Sequence, residues 1–577
     1  MGIISASSQR PPESVKDSAA GLGGGVEAAE VRVDRRSRTS FSGLGRLGDM
    51  ALSARQHPVT RAVRLDCVHR NPPEGQVVGG FVDLERTVNH GGLVSPTGRR
   101  CRQTRQRSSC GQGRTMRRER NEKLAAAIAE TGWSQPKVAA ALVRVAAEVG
   151  ADELLGTSRS HIAMWIAGTE PSGRAPIILS ETLSRRLQRP VTPAEIGLTP
   201  PKSGAVMASE WHVDTVSALV DLGRSNVDLE RRRVLTGTAY SVTGLALPEQ
   251  TWWDEAPERA RSRPSSTNRR VGTAEINAVK EMTEFFSKRD QRQGGVDGRT
   301  ALYQYIYDDV ATYVGGVFAG DETRCRLFAA AAELVYVAGW MSFDASHHEA
   351  ARRYFTLAVK LAAEAEDAPL AGHVLRAMAH QATDLGHPKE AVDIATASVE
   401  HKRYTLATPR ERALLGVVRA RSLATAGQRH EARVALLRAE DDLAAAKPGD
   451  DEPARVWFFS EASLAHETAR TLWALGDLQG AQDEFWRSVH TRETGAFGRT
   501  HVVTLGYLGA AQASQGNVEA ACGTWAQALD AMNGVHSGRA REAVINMRRV
   551  LSPYRNRGIS AAAEIDERAK AVLRRVA

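Results

Sequence analysis

A chain of 577 residues is too long for one hydrophobic core, so at least two folded units are expected. Its apolar fraction of 42% suits globular folding, and no run approaches about 18 uninterrupted apolar residues, which argues against a membrane partner. The formal charge of +9 suggests nucleic acid, yet residues 1–115 alone hold 18 Lys and Arg against 10 Asp and Glu, so the excess lies mostly outside the segments that look folded.

The five cysteines, Cys67, Cys101, Cys110, Cys325 and Cys522, form no C-x-x-C pair. An odd, scattered set supports neither a disulfide framework nor a zinc ribbon, and a cytoplasmic location is expected. The N-terminus lacks the basic-then-apolar pattern of a secretion signal. Residues 1–115 mix Gly, Ser, Arg and Pro without helical or strand period, and Lys16 is their only lysine. We read them as a leader that is either disordered or absent from the natural protein, with Met116 as the natural start.

Residues 116–200 read as short helices separated by turns. Leu124 and Ile128 mark the first, closed at Thr131-Gly132. Ser134 is placed to cap a second, from Gln135 to about Val145. A connection over 150–156 leads to Thr157-Ser158, which can cap a third, from Arg159 to Ala167, stopped at Gly168. A turn over 171–176, a fourth helix over 177–187 and a short fifth over 192–196 follow. Residues 201–270 read as a linker with short helices, most polar over 248–270. The internal Arg231-Arg232-Arg233 before residues 234–248 imitates an export signal but stands far from the N-terminus.

The third helix, Arg159-Ser160-His161-Ile162-Ala163-Met164-Trp165-Ile166, carries a division of labour. Ile162 and Trp165 lie three apart and can face a core, while Arg159, Ser160, His161 and Met164 fall on other faces. With Ser134-Gln135 opening the preceding helix and Gly168 closing this one, the segment resembles the helix-turn-helix of lambda-repressor and Cro-like regulators. That family joins its second and third helices by a tight turn, whereas residues 140–156 are too long for one. The lengthened turn, with Glu181-Thr182-Leu183-Ser184-Arg185-Arg186-Leu187-Gln188-Arg189-Pro190-Val191 after the recognition helix, is similar to a Streptomyces-type actinobacterial subgroup. The resemblance implies a partner, double-stranded DNA, read by Ser158, Arg159, Ser160, His161 and Met164 in the major groove, with Gln135 on a phosphate.

Beyond Val271 the pattern is helical and repeats itself. Residues 423–432, 472–481 and 511–520 are copies, with an earlier one at 382–391, and residues 338–345 followed by 351–355 form a first hairpin. Each copy is a helix ending at Gly, a short turn, and a second helix with an early Ala against the first. The glycines recur every 40 to 49 residues, longer than the usual ~34 of tetratricopeptide repeats, which the pattern otherwise resembles. Stacked hairpins leave a concave face that Trp340, Trp473, Trp486 and Trp525 could line, but for any one of them core packing between helices is the better reading.

Three His-Glu pairs, at His348, His430 and His466, raise the zinc-protease motif. Arg352, Val434 and Arg470 stand where its second His belongs, so no metal is expected. The glycines of residues 21–25 lack a preceding strand and a third motif glycine, and no nucleotide loop or nucleophile elbow is present; no cofactor and no enzymatic activity are expected. The expected protein is all-α: a disordered N-terminal segment, a helix-turn-helix domain over 116–200, a linker over 201–270, and an α-solenoid of tetratricopeptide-like hairpins over 271–577. Its expected function is sequence-specific transcription regulation, with the repeats binding an effector, peptide or protein partner or mediating homodimerisation. The alternative is a repeat adaptor that does not act on DNA.

Overall fold

Polar and charged residues in the deep interior, rather than apolar ones alone, set how the helices of this protein meet. The computed structural model describes residues 119–148, 151–199, 210–232, 240, 242–447, 449–555 and 559–575. The expected leader over 1–115, the linker residues 200–209 and the start of the export-like run at 233–239 lie outside the described residues.

The described backbone is all-α apart from two short strands, β1 (Arg270–Val271) and β2 (Val317–Phe318), which pair in parallel. Helices α1 (Glu122–Glu130), α2 (Gln135–Glu148), α3 (Arg159–Ile166) and α4 (Ala175–Leu187) enclose a separate small core that includes Leu124, Leu142, Ile162, Trp165 and Leu183. The fifth helix expected over 192–196 is a turn, held by Leu198 N–H donating to the Pro193 carbonyl at 2.8 Å. Pro193 and the following Ala-Glu-Ile-Gly offer too short a run for a helix nucleus to persist.

The segment expected to be a linker is part of the main body. Helices α5 (Thr215–Arg232) and α6 (Gln250–Ser262) contribute Leu219, Leu222 and Trp252 to the large core, joined by Trp211 and Leu245. Trp252 donates its indole N–H to the Trp211 carbonyl at 2.9 Å. Arg263 reaches the buried Glu364 through two bonds of 2.9 Å. The polarity of residues 248–270 reflects one wet helix face and a set of arginines that tie it down, so composition alone misread it.

Next come α7 (Thr273–Gln293), α8 (Arg299–Tyr305) and α9 (Ala311–Val314), the last two joined by a wide turn, Ile306–Val310. Then six hairpins follow: α10 (Asp321–Asp344) with α11 (His348–Glu364), and α12 (Ala368–Asp384) with α13 (Pro388–Ser398). After the single turn α14 (Lys402–Thr405) come α15 (Pro409–Thr425) with α16 (Arg429–Ala445), and α17 (Glu461–Leu475) with α18 (Leu478–Thr491). The last are α19 (Gly498–Ser514) with α20 (Val518–Ala531), and α21 (Gly538–Arg555) with α22 (Ser560–Arg575). Helix α10 is long and apolar enough to cross a membrane by composition, but most of it is buried among its neighbours, as a core helix should be.

The repeat glycines do what their spacing implies. Gly386, Gly427, Gly476 and Gly516 sit between paired helices with φ from +81° to +87°, a left-handed conformation that costs a residue with a Cβ about 1 kcal/mol or more. Five residues after each glycine, Ala391, Ala432, Ala481 and Ala521 are wholly buried. The copy read as 511–520 is therefore one residue short: Ala520 is exposed and Ala521 holds the close-packing position. The first hairpin turns without glycine, through Ser346 at φ +65°.

The expected concave groove is not open. The ends of the series meet where the His536 N–H donates to the Gln293 carbonyl at 2.6 Å and the buried Arg499 pairs with Asp290 at 3.1 Å. Asp344 accepts from the Gly295 N–H at 2.8 Å and from Ser537 Oγ at 2.9 Å. The inward faces of the first helices of the hairpins then close on a network of charges. Arg421, 2% exposed, holds Asp384 and, at 3.2 Å, Glu467; Arg470 and Arg539 reach Asp384 at 3.2 and 3.4 Å. Of the four tryptophans considered for a groove, Trp525 is buried in the core, Trp473 packs beside it, Trp486 is exposed, and Trp340 faces the small interior space that remains.

The first His-Glu pair, His348-Glu349, is buried in the core. Arg352, at the position of a second zinc-binding His, is fully buried and pairs with Glu349 at 2.6 Å and Glu210 at 2.8 Å.

His380 stands within this network, 3.3 Å from Asp384 and 3.6 Å from Glu467. Burial pushes its pKa from 6.5 down to about 4, more than the two carboxylates pull it up. Between those values the unfolded chain holds a proton that the folded chain does not. Stability must fall as pH drops from about 6.5 towards 4, by roughly 1.4 kcal/mol per pH unit for this group. Denaturant melts at pH 7 and pH 5 should show a smaller acid loss in His380→Gln than in the parent, and equal losses would exclude a neutral buried His380.

Candidate nucleic-acid interface

The small unit over 119–199 is organised around α3. Asn121 caps α1, accepting from the Leu124 N–H at 2.9 Å, and its amide nitrogen donates to the Ile196 carbonyl at 2.9 Å, tying the start of the unit to its end. The long connection before α3 is folded: Ala151 and Leu154 are buried, and the Arg174 guanidinium holds Glu153 through bonds of 2.7 and 2.8 Å. The Arg174 hydrogen bond keeps the Glu153 carboxyl below its ordinary range despite partial burial. A lengthened turn is thus accommodated by giving it two core residues and an ion pair.

Along α3, Ile162 is 0% and Trp165 7% exposed, whereas Arg159, Ser160, His161 and Met164 are exposed. Ser158 precedes the helix in an extended conformation. His161 reaches back to it, with Nδ1 accepting from the Ser158 N–H at 3.1 Å. That bond satisfies a backbone donor beside the helix N-terminus and turns the imidazole along the outer surface. Arg159, Ser160 and His161 share the first turn and Met164 lies one turn on, so α3 presents a compact outward face. Gln135 is half-buried at the first position of α2 and makes no hydrogen bond to these residues.

The four exposed side chains of α3 make up one outward face. It offers a guanidinium, a hydroxyl, an imidazole and a thioether on a rigid helix, a set suited to hydrogen bonding and apolar contact with base edges. The unit carries 11 Lys and Arg against 9 Asp and Glu over 116–200, so its attraction for phosphates is modest.

The opposite side of the unit is covered. Ser180, Glu181, Thr182 and Ser184 of α4 are buried, and Glu181 Oε1 meets His387 Nε2 at 2.7 Å in the turn between α12 and α13. Gln188 donates to the Gly386 carbonyl at 3.2 Å in that same turn. Burial pushes Glu181 up, but Arg185 at 2.8 Å and His387 more than offset it and hold the carboxyl below its ordinary range. Tyr240, fully buried, lies with its ring 5.7 Å from that of His387. The sequence marked Glu181 only as part of the segment that resembles the actinobacterial subgroup and His387 only as a turn residue of one repeat copy, and it gave Tyr240 no role.

Over residues 124–199 the chain is similar to the family described as the SP15 N-terminal domain, a match that coincides with this helical unit. No curated protein and no solved structure matches the chain.

Trp165 closes the core beneath the exposed face. Trp165→Ala should cost on the order of 3–5 kcal/mol and raise amide exchange across residues 119–199 while α10–α22 stay protected. Unchanged exchange would mean that the indole adds nothing to the core.

Proposed function

We propose that this protein is a sequence-specific DNA-binding regulator of the cytoplasm, in which residues 119–199 act as a lambda-repressor-like helix-turn-helix and the tetratricopeptide-like hairpins carry the regulatory input. The observation that carries the reading is the split of α3, with Ile162 and Trp165 buried and Arg159, Ser160, His161 and Met164 exposed side by side. A helix held rigidly by one face and offering a short donor-rich stretch on the other is what direct readout of a major groove needs. Gln135 would contact a phosphate from the start of α2.

Regulation has a physical route in this reading. The α4 helix behind the recognition face is seated on the turn between α12 and α13 through Glu181 and His387. Anything that moves that turn changes how α3 is presented, and a ligand couples to DNA only by preferring one of the two arrangements. A peptide or protein partner, or a second copy of the chain, would use the outer face of the hairpins, where Val434, Leu437 and Trp486 are each more than half exposed.

Binding of the full-length protein to fragments from upstream of its own gene tests this. One fragment should be bound in preference to the rest, and Arg159→Ala should weaken that complex by roughly five- to 150-fold, the loss of one good base contact of ~1–3 kcal/mol. Indifference to every fragment at low salt would favour a repeat adaptor that does not act on DNA. His387→Ala should leave α3 folded but alter affinity for the preferred fragment and increase amide exchange in α4; identical affinity and exchange would remove the α4 contact from the mechanism.

A further inference from the structure

Where the first helices of the hairpins face one another, a cavity of about 70 Å³ remains, lined by Trp340 of α10, Arg376 and His380 of α12, Arg492, Arg499 and Arg539, with Phe458 and Phe459 among its walls. Its own charges do not cancel, and the carboxylate next nearest to Arg376, Glu411 on the far side of His373, is already held by Arg455 at 2.7 Å. Six arginines stand in or around it, Arg376, Arg421, Arg470, Arg492, Arg499 and Arg539, against four carboxylates. Asp384 is held by Arg421, Arg470 and Arg539, Glu467 by Arg421, and Asp290 and Asp344 by Arg499. Burial keeps His380 and His466 neutral near pH 7, so they do not alter that sum.

The two arginines left over are Arg376 and Arg492. Arg376 is 2% exposed; its Nη2 donates to Tyr336 Oη at 3.0 Å and lies 3.1 Å from His373 Nε2, and its guanidinium sits 5.7 Å from the Trp340 ring and 5.9 Å from the Phe458 ring. Arg492 is 7% exposed, and its Nη2 donates to the Ala462 carbonyl and to Ser488 Oγ, each at 2.9 Å. Neither guanidinium has a carboxylate within 4.0 Å among the described residues, and Nε of both is buried without an acceptor, as is the Trp340 indole N–H. Burial and the neighbouring Arg499 lower the Arg492 pKa to about 10, the direction expected of a cation short of counter-charge. Uncompensated buried charge is strongly unfavourable, and a folded interior that retains two such groups around a cavity is built to receive the missing anion.

We propose that this cavity is a binding site for a short-chain carboxylate, with the carboxylate taken by Arg376 and Arg492 and the hydrocarbon end set against Trp340, Phe458 and Phe459. A guanidinium presents paired N–H groups that match a carboxylate, and the small volume and aromatic walls fit a compact apolar tail better than a phosphate group. An extended peptide is too large for the space. The assignment stands apart from the DNA reading, because it concerns the interior of the hairpins alone.

The test uses the full-length protein, with propionate, propionamide and inorganic phosphate as probes at constant ionic strength in chloride. Calorimetric titration and thermal melts should show saturable binding and stabilisation by millimolar propionate and none by propionamide. Arg376→Met and Arg492→Met should each weaken propionate binding by about tenfold or more. Arg492→Met should melt no lower than the parent when no anion is added, because it removes a buried cation whose partners are a carbonyl and a hydroxyl but no carboxylate. Should a methionine variant fail to fold, Trp340→Phe, which deletes only the indole N–H and part of the ring, should still weaken propionate binding. The proposal is overturned if propionate does not bind, if it stabilises the arginine variants as much as the parent, or if phosphate binds in its place.

Discussion

Helices can turn their inner faces towards one another only if the charges they bring there are matched, and Arg421 does most of that matching. It lies on α15, nearly in the middle of the series, and holds a carboxylate from the hairpin before it and one from the hairpin after it, Asp384 of α12 and Glu467 of α17. Removing one partner of such a buried set leaves the other charge stranded, typically at a cost of about 3–5 kcal/mol. Apolar contacts between neighbouring hairpins are tolerant of small rotations. The bridges are not, so they select one curvature from the many that hairpin stacking allows.

That closed curvature changes what the repeats can be used for. An open series offers its concave face to an extended partner, but here the concave face is spent on internal contacts. The ends of the series are locked by Arg499, Asp290, Asp344 and the His536 backbone, which join helices far apart in the chain. What the closure leaves is the outer face and a small interior cavity lined in part by arginines.

The attachment of the small unit follows the same logic of buried charge. Glu181 can be buried on α4 because Arg185, one turn away, and His387, from another part of the chain, face it together. The contact is local and polar, unlike the broad apolar packing of α5 and α6 on α11. A polar seat of this kind is separable at modest cost, and its place behind α3 makes it a natural hinge for the proposed readout of DNA.

Much of this protein was determined by its sequence alone. The presence and order of α1 to α4, the inward pair Ile162 and Trp165, and the outward set on α3 follow from periodicity and capping, which are local properties of the chain, although α2 runs on to Glu148 and α4 starts at Ala175, inside the expected turn. The repeat glycines also announced themselves, because a left-handed turn residue and a buried alanine five places later are demanded by any tight helical hairpin. The sequence misled where a polar stretch could be either a linker or a helix with one wet face. For residues 248–270 the answer depended on Trp252, Arg263 and partners more than a hundred residues away. Only the tertiary structure decided that the concave face closes, that Glu181 is buried against His387, and that Arg376 and Arg492 have no carboxylate partner among the described residues. Each of these is a statement about charge balance among residues distant in the chain, and charge balance in an interior has no periodic signature for a sequence to show.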